Sequence, residues 1–453
     1  MAQRGHRPGK VDREVTAHAA NADNHGLTGP WSIPSARYLS REFFDLEADR
    51  LWSRAWQMAC RLEEIPSVGD FSEYSICDKS VLVVRTGPDT VKAFGNACRH
   101  RATQLATGVG GFETGQIVCP FHGWRWDLEG RNTYVHAEAG FDPICLQPED
   151  TALRQFPTGC WGGCVFVNLD PCARPLEEAL HPISTFLEPL DIGRMRVRWW
   201  KATVLEANWK LTQEAFMEGF HVMQTHPQLS LDLPDDPDAQ EYWSHPNGQS
   251  HFQNRPGRSQ LPAGIDPVEV AIESSRLLCE GLDAMTLPRD LKAIEGLRGD
   301  STSGSVGRRL VSAVYAAAAA EGVTLPAPDP EALGRWGGVF FLFPNLFVLP
   351  QYGNALMYRS RPNGRDPESC LFELWSVTIP SDDADTPRPT MGGPFSPTDQ
   401  DAWPAIPLQD FSNIERQQRG LHSPGFRNLR LSERYEAGIM NMHRELDRYL
   451  TTE

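Results

Sequence analysis

Two short segments of the chain each place one cysteine close to one histidine. Cys98 is followed by an arginine and His100, and Cys119 is followed by a proline, a phenylalanine and His122. Two thiolates on one iron and two neutral imidazoles on the other are the ligands of a Rieske-type [2Fe-2S] centre. The sequence therefore predicts that Cys98, His100, Cys119 and His122 bind such a cluster, which would receive electrons.

Zinc is the alternative occupant, because two cysteines and two histidines also make a tetrahedral zinc site. Zinc fingers place the two cysteines together and then the two histidines, whereas cysteine and histidine alternate here. Pro120 and Gly123 are typical of tight loops, which suits ligands that project over a cluster. The order of the residues favours the iron-sulfur cluster over zinc.

A second group of candidate ligands begins about a hundred residues later. Glu218, His221 and His226 lie within nine residues, and Pro227 follows directly. Two histidines and a carboxylate are the ligands of a non-haem Fe(II) that activates oxygen, and an Asp-bearing segment near the end of the chain could supply the carboxylate. A chain with both sites can accept electrons and use them on O2, so the motifs indicate an oxygenase.

The spacing of the two histidines requires a break in the helix that carries them. Residues five apart on an α-helix point roughly 140° away from each other, so two such imidazoles cannot meet on one metal. Pro227 disfavours the α conformation at the residue before it. We therefore expect His221 on the last turn of a helix over 208–225 and His226 just beyond that helix.

The composition narrows the class of protein. The chain has 453 residues, 40% of them hydrophobic and 23% charged, and a formal charge of −16. This charge argues against a nucleic-acid partner, since an excess of Lys and Arg is needed to displace counterions. The most apolar stretches, 311–320 and 338–350, are shorter than the roughly 18–20 residues of a membrane-spanning helix, and no signal-peptide pattern opens the chain. We expect no membrane contact and a cytoplasmic location.

The local composition and the hydrophobic pattern of the sequence change along the chain. We predict a loose N-terminal arm over 1–35, a cluster domain over 36–175 and a larger domain over 176–453. The cluster domain begins with a helix and contains a small antiparallel β core at about 69–132. In the larger domain we predict helices over 208–225, 267–297 with a break at Pro288, 306–321 and 432–450, strands over 199–206, 338–349 and 369–379, and long loops over 228–265 and 381–408. The expected fold class is α+β, with helices covering an antiparallel sheet.

Taken together, the motifs resemble the large, alpha-type subunit of the Rieske non-haem iron aromatic-ring-hydroxylating oxygenases. The resemblance covers most of the chain, in the order typical of that family. The stretches that carry it are Gly69-Asp-Phe, Cys98-Arg-His-Arg, Cys119-Pro-Phe-His-Gly-Trp-Arg-Trp-Asp-Leu-Glu-Gly, Asn208-Trp-Lys, Glu218-Gly-Phe-His with His226-Pro, and Gln418-Arg-Gly-Leu.

The resemblance implies one [2Fe-2S] cluster and one mononuclear Fe(II) in each chain. Cys98 and Cys119 would bind one cluster iron, and His100 and His122 the other. His221 and His226 would bind the mononuclear iron together with Asp410, which fits the family's position for an aspartate before the Gln-x-Gly segment. Asp399 and Asp401 are rival candidates for that third ligand.

One position departs from the family pattern. The family has an aspartate three residues before the first iron histidine, where it links that histidine to a cluster histidine of the neighbouring subunit. Glu218 stands here instead, as in some relatives that act on quaternary amines. The usual upstream asparagine is also not evident, since Gln213 and Glu214 occupy that region.

The function that the resemblance implies is that of a terminal oxygenase, with O2 as co-substrate. Electrons would come from an NAD(P)H-dependent reductase, directly or through a ferredoxin. Four arginines around the cluster loops could steer an acidic donor or could be ordinary solvated surface, which is the commoner role of exposed arginines: Arg99, Arg101, Arg125 and Arg131. The family forms a head-to-tail trimer, with or without a small beta subunit. Cis-dihydroxylation in the catabolism of aromatic hydrocarbons is the first expectation, and monooxygenation or oxidative O- or N-demethylation is the alternative. A simple Rieske electron carrier would not need the roughly 300 residues beyond the cluster region.

Overall fold

The computed structural model describes residues 25–219, 221–229, 237–255, 264–299, 305–327 and 337–451. Small antiparallel sheets fill the first part of the chain, and one large sheet with helices against it fills the second. The expected α+β fold class is confirmed. Residues 1–24 of the predicted arm lie outside the described residues, and strand β1 (Ser32–Pro34) pairs with the segment Asn428–Arg430 near the other end of the chain.

The cluster domain contains three small sheets with the strand orders β10-β5-β4-β3-β6, β11-β12-β2 and β7-β8-β9. All their pairings are antiparallel, as predicted. The strands are β2 (Gln57–Arg61), β3 (Asp70–Ile76), β4 (Lys79–Gly87), β5 (Thr90–Gly95), β6 (Val109–Gly111), β7 (Gln116–Val118), β8 (Arg125–Asp127), β9 (Asn132–Tyr134), β10 (Gln155–Phe156), β11 (Thr158–Trp161) and β12 (Cys164–Val167). One cluster loop follows β5 and the other joins β7 to β8, and the buried side chains of Leu82, Phe94, Ile117 and Trp126 support them.

The larger domain is organised around an eight-stranded sheet with the order β14-β15-β16-β17-β18-β19-β13-β20. Its pairings are antiparallel except that β20 runs parallel to β13. Its strands, with β21 of the two-stranded sheet, are β13 (Arg196–Leu205), β14 (Gln240–Ser244), β15 (Ser250–Asn254), β16 (Val339–Leu342), β17 (Leu346–Gln351), β18 (Asn354–Pro362), β19 (Cys370–Thr378), β20 (Met391–Phe395) and β21 (Asn428–Arg430).

The α-helices lie before, between and after these strands. They are α1 (Ala36–Leu39), α2 (Arg41–Leu46, continued by a π-helical turn over Glu47–Leu51), α3 (Pro148–Thr151), α4 (Leu176–Leu180), α5 (Ile183–Leu187), α6 (Trp209–Glu214), α7 (Val222–Thr225), α8 (Pro267–Leu282), α9 (Pro288–Glu295), α10 (Val306–Ala320), α11 (Ala405–Leu421) and α12 (Ala437–Thr451). The predicted break at Pro288 is confirmed, because α9 begins there. None of the helices in the described ranges is both long and apolar enough to cross a membrane.

Several predicted boundaries were wrong. The helix predicted over 208–225 is two helices, α6 and α7, because the chain turns between Ala215 and Gly219. The strand predicted over 338–349 is a hairpin, β16 and β17, because a turn at 343–345 interrupts the apolar run. The loops predicted over 228–265 and 381–408 contain β14, β15, β20 and the start of α11, while 230–236 and 256–263 lie outside the described residues.

Helix α11 begins in a proline-rich segment, which is why its first turn was not expected to be helical. Pro404 is the residue before the helix and Pro407 lies in its first turn, where a backbone N–H has no intrahelical acceptor and proline is tolerated. The helix then continues through Asp410 to Leu421. The helix packs against α7, the short helix that has His221 and His226 at its two ends.

Candidate cluster site and metal centre

The two cluster loops have the same backbone hydrogen-bond pattern. Ala102 N–H donates to Cys98 O and Gly123 N–H donates to Cys119 O, at 2.9 and 3.1 Å. Each cysteine N–H in turn donates to the carbonyl five residues later, that of Thr103 or Trp124, at 2.8 Å in both loops. Ala102 and Gly123 have positive φ angles of 60° and 70°, which close the loops tightly. The two cysteines therefore occupy equivalent positions in the loops, and the histidines follow them by two and three residues.

The donor groups at the tips of these loops fit a two-iron cluster. The Cys98 and Cys119 side chains are buried and hydrogen-bonded to each other, and the ring centroids of His100 and His122 are 4.8 Å apart. His100 Nδ1 is enclosed without a hydrogen-bond partner. Burial raises the pKa of the Cys98 thiol, so thiolate formation at this position needs a cation such as iron. The four predicted ligands are thus together.

Aromatic rings and arginines surround the cluster loops. Trp124 stacks on His100 with the ring centroids 5.2 Å apart, and Arg101 Nη2 lies 3.1 Å from His122 Nε2. Phe121, between Cys119 and His122, is 60% exposed. Four arginines around these loops are exposed, as a surface that steers an electron-donor protein requires: Arg99, Arg101, Arg125 and Arg131.

The second group of ligands also comes together. His226 Nε2 is 2.8 Å from Asp410 Oδ1, and His221 Nε2 is 3.9 Å from the same oxygen. One donor atom from each of the three residues lies within 4.8 Å of the others. Two imidazole nitrogens and one carboxylate oxygen are the donor set of a facial-triad iron site, so the residues fit a mononuclear Fe(II).

Hydrogen bonds to the outer ring nitrogens turn both Nε2 atoms towards Asp410. His221 Nδ1 lies 2.7 Å from Glu218 Oε1, and His226 Nδ1 lies 2.7 Å from Gln409 Oε1. Such contacts fix the tautomer and the orientation of a metal-binding histidine. Burial lowers the pKa of His221, but the hydrogen bond and the charge of Glu218 outweigh it and leave this pKa raised.

The backbone brings His221 and His226 to one point in a different way from the one expected from their spacing. His221 does not end the preceding helix, because α6 ends at Glu214. Instead, His221 is the N-cap and His226 the C-cap of the single-turn helix α7. His226 has φ −123° and ψ 60°, outside the α region, as predicted for a residue before proline.

Of the three candidate aspartates, Asp410 is the one beside the histidines. It is buried on α11, one turn into the helix. Asp399 Oδ1 instead accepts hydrogen bonds from the backbone N–H groups of Asp401 and Ala402, in the turn that precedes the helix, and Asp401 is exposed. Gln409 was not foreseen, although its position directly before Asp410 could have drawn attention to it.

An apolar cavity of about 130 Å³ adjoins these three residues. Strands β17, β18 and β19 form its floor, with Leu349, Leu356, Tyr358 and Phe372 among the side chains, because alternate residues of a strand point to the same face. Phe216, Ile406 and Phe411 close it from the helical side. Apart from His221, His226 and Asp410, none of the described lining residues is charged or a histidine.

From the sequence, the apolar residues Phe216, Met217, Met223 and the Phe340-Phe341 strand are candidates for a pocket near the iron. Of these, only Phe216 is among the described residues that line the cavity. Leu356 and Tyr358 of the floor were missed because β18 was not among the predicted strands.

A second cavity, of about 250 Å³, lies on the other side of Glu218. Glu214, Glu218 and Glu436 line it with Phe426 and Arg430. Glu218 therefore contacts His221 and also reaches a separate acidic recess.

A family pattern described as the Rieske [2Fe-2S] domain matches residues 55–157, which include both cluster loops. A second pattern, described as the ring-hydroxylating alpha subunit (catalytic domain), matches residues 192–452, well over half of the chain. The chain belongs to the ring-hydroxylating alpha subunits. As a member of this family it combines a Rieske domain with the catalytic domain of the non-haem iron oxygenases.

Individual members of the family are similar over different lengths. The glycine betaine monooxygenase oxygenase subunit of Chromohalobacter salexigens is 26% identical over 422 residues, covering 91% of this chain and 84% of that protein. The protein of the same name from Pseudomonas aeruginosa is 29% identical over 218 residues, 48% of this chain and about half (49%) of that protein's length. Naphthalene 1,2-dioxygenase from Rhodococcus sp., solved with bound indole, superposes with a TM-score of 0.61 at 20% identity and covers 97% of both chains, which shows that this alpha subunit shares its fold.

Proposed function

We propose that this alpha subunit is the terminal oxygenase of a multicomponent enzyme that hydroxylates an apolar, aromatic substrate, with cis-dihydroxylation as its reaction. The proposal assigns Cys98, His100, Cys119 and His122 to the [2Fe-2S] cluster and His221, His226 and Asp410 to Fe(II). The cluster would supply single electrons from a reductase or ferredoxin, and Fe(II) would supply the activation of O2. The cavity beside the three candidate iron ligands is the observation that carries the proposal.

The chain's own residues orient the reacting groups and keep water away. Glu218 and Gln409 hold the two imidazoles so that their Nε2 atoms face one point. The hydrocarbon side chains of the cavity exclude bulk water and offer a substrate no charged group beyond the ligands, as far as the described lining residues extend. A flat apolar molecule would therefore bind next to the iron by burying its surface.

The position of Glu218 supports a head-to-tail trimer. Its carboxylate touches His221 on one side and lines the acidic recess with Glu214 and Glu436 on the other. The arginines around the cluster loops are complementary in charge to the carboxylates of Glu218 and Glu436 in this recess. In the proposed assembly the cluster loops of one subunit face the recess of the next, and electrons pass by way of Glu218. A small beta subunit is compatible with this arrangement.

Monooxygenation is the second candidate, with oxidative demethylation of a quaternary amine as its most specific form. Two relatives are named glycine betaine monooxygenase subunits, and Glu218 is a glutamate, as in some quaternary-amine enzymes. Aromatic rings in the cavity can bind a quaternary ammonium group through cation–π contacts. Against it, no described lining residue is a Lys or Arg that would bind the carboxylate of a betaine.

Product analysis separates the two candidates. The purified protein, with a reductase, NADH and O2, is given naphthalene, toluene and glycine betaine in parallel. A cis-diol from an arene supports the first proposal, and formaldehyde from glycine betaine supports the second. The matched control is His221→Ala, which should retain the cluster's absorption, lose the mononuclear iron and form no product. Zinc in place of iron, or a content of two irons per chain instead of three, would contradict both candidates.

A further inference from the structure

Tyr358 is one of the residues that form the cavity floor. It lies on β18, opposite Phe347 of β17 and Leu374 of β19. Its ring centroid is 4.6 Å from that of Phe216 and 5.8 Å from that of Phe372, and its side chain is 4% exposed. These rings pack on one another, so they form one continuous aromatic wall of the cavity.

The hydroxyl of Tyr358 donates to no other group among the residues that the structure describes. Tyrosine residues as buried as this one usually find a hydrogen-bond partner for the hydroxyl. Other buried tyrosines of this chain follow that rule: Tyr38 donates to Glu214 at 2.7 Å and Tyr74 to Gln57 at 3.1 Å. Tyr358 therefore presents an unused polar group in a cavity whose other described lining residues, the three candidate iron ligands apart, are apolar.

The surroundings of Tyr358 keep its hydroxyl protonated. Burial raises the pKa of this hydroxyl well above its usual value. A protonated phenol donates a hydrogen bond, so its natural partner is an acceptor on a bound molecule. No Lys or Arg among the described lining residues would pair with an anionic partner, so an uncharged acceptor is favoured.

The cavity also limits the size of that molecule. An apolar cavity of roughly 150 Å³ in another protein is known to bind benzene. The present cavity, at about 130 Å³, is comparable, so it suits a compound with a single ring.

We propose that Tyr358 is a specificity-determining residue that donates a hydrogen bond to an oxygen acceptor on an uncharged, single-ring aromatic substrate, such as an aryl ether. This inference rests on the proposed function, because it takes the cavity as the substrate site. It adds a substrate class, since a purely hydrocarbon arene would leave the Tyr358 hydroxyl unpaired and would bind less well.

Binding of two matched probes tests this assignment without turnover. Anisole and ethylbenzene have the same number of heavy atoms, and differ by an oxygen in place of a methylene group. Isothermal titration of the anaerobic holoenzyme should give a Kd for anisole about tenfold lower than that for ethylbenzene. Equal affinities, or no binding of either probe, would overturn the proposal.

Variants locate the preference in one hydroxyl group. Tyr358→Phe should bind the two probes equally, while Tyr74→Phe, the same change at a buried tyrosine outside the cavity, should keep the preference for anisole. Cluster absorption and three irons per chain verify that each variant is intact. A preference that survives in Tyr358→Phe would also overturn the assignment. An enzyme that prefers anisole but forms no oxygenated product from any substrate would contradict the proposed function alone.

Discussion

His226 Nδ1 lies 2.7 Å from the side-chain oxygen of Gln409, the residue directly before Asp410. The same segment of α11 thus supplies a candidate iron ligand and the group that orients another. Replacing Gln409 by leucine should weaken Fe(II) binding roughly 10- to 100-fold, the usual effect of losing such a contact. Titration of Fe(II) against a competing chelator measures this change.

The control for Gln409→Leu is Asn413→Ala on the same helix, where the side chain bonds Thr225 rather than a candidate ligand. Gln409→Glu, which keeps an acceptor oxygen, should retain most of the affinity. Equal iron affinity in the leucine variant and the wild type would show that His226 needs no such support.

Glu218→Gln separates charge from hydrogen bonding at the proposed bridge. Glutamine can still accept from His221 Nδ1, so both metals should remain, but the negative charge beside the acidic recess is lost. We expect reoxidation of the reduced cluster, followed by stopped-flow absorbance, to slow at least tenfold. Glu218→Asp, one methylene shorter, tests the reach of the carboxylate. An unchanged rate of cluster reoxidation in Glu218→Gln would show that electron transfer does not depend on the Glu218 carboxylate.

Glu214 should make the stability of the protein depend on pH. Its carboxyl is buried, accepts from Tyr38 and lies 2.8 Å from His443 Nε2, and burial raises its pKa from 4.5 to about 8. A raised folded-state pKa stabilises the fold below pH 4.5, and this contribution is lost as the pH rises towards 8. The loss is on the order of a few kcal/mol.

Chemical denaturation at several pH values measures this effect. Between pH 5 and pH 8 the stability of Glu214→Gln should fall by less than that of the wild type, because the amide does not ionise. Glu177→Gln, at an exposed position, should follow the wild type. Equal losses of unfolding free energy between pH 5 and pH 8 in all three proteins would contradict the raised pKa of Glu214.

The buried ion pair between Lys210 and Glu47 joins α6 to the π-helical turn after α2. Lys210 Nζ is 2.6 Å from Glu47 Oε1, and both side chains are fully buried. Lys210→Met would leave the Glu47 carboxylate without its partner and should cost about 3–5 kcal/mol of unfolding free energy. The double variant with Glu47→Leu should recover most of that loss. Removal of Arg41 from the exposed pair Arg41–Asp45 should lower the free energy of unfolding by less than about 1 kcal/mol. A loss that small for Lys210→Met would contradict the prediction.

The candidate residues of both proposed metal sites could be found from the sequence because short motifs carry most of them. Cys98 and His100 lie in one loop, and His221 and His226 within one turn, so local spacing reveals their chemistry. Asp410 was one of three candidates until the fold brought α11 against α7. The third ligand depends on tertiary packing, which spacing alone does not specify.

The floor of the cavity could not be predicted in the same way. Tyr358 faces the site because of the register of β18 between β17 and β19, and it lies more than a hundred residues from His226 in sequence. Eight of the nine positions of β18 are buried, including polar residues such as Arg359 and Ser360, so the alternation of apolar and polar residues that identifies an inward face is faint. The helix of Asp410 was missed for a related reason, since Pro404 and Pro407 resemble a loop until their place at a helix start is known.

The cavity has two structural halves: the candidate iron ligands lie on or beside helices, and most of the floor lies on strands β17, β18 and β19. Substitutions on the strands can therefore change the shape of the cavity without altering the residues that would bind iron. Variants with a new substrate preference can thus arise from active precursors. Directed evolution that randomises Leu356 and Phe372 while sparing α7 and α11 would exploit this independence.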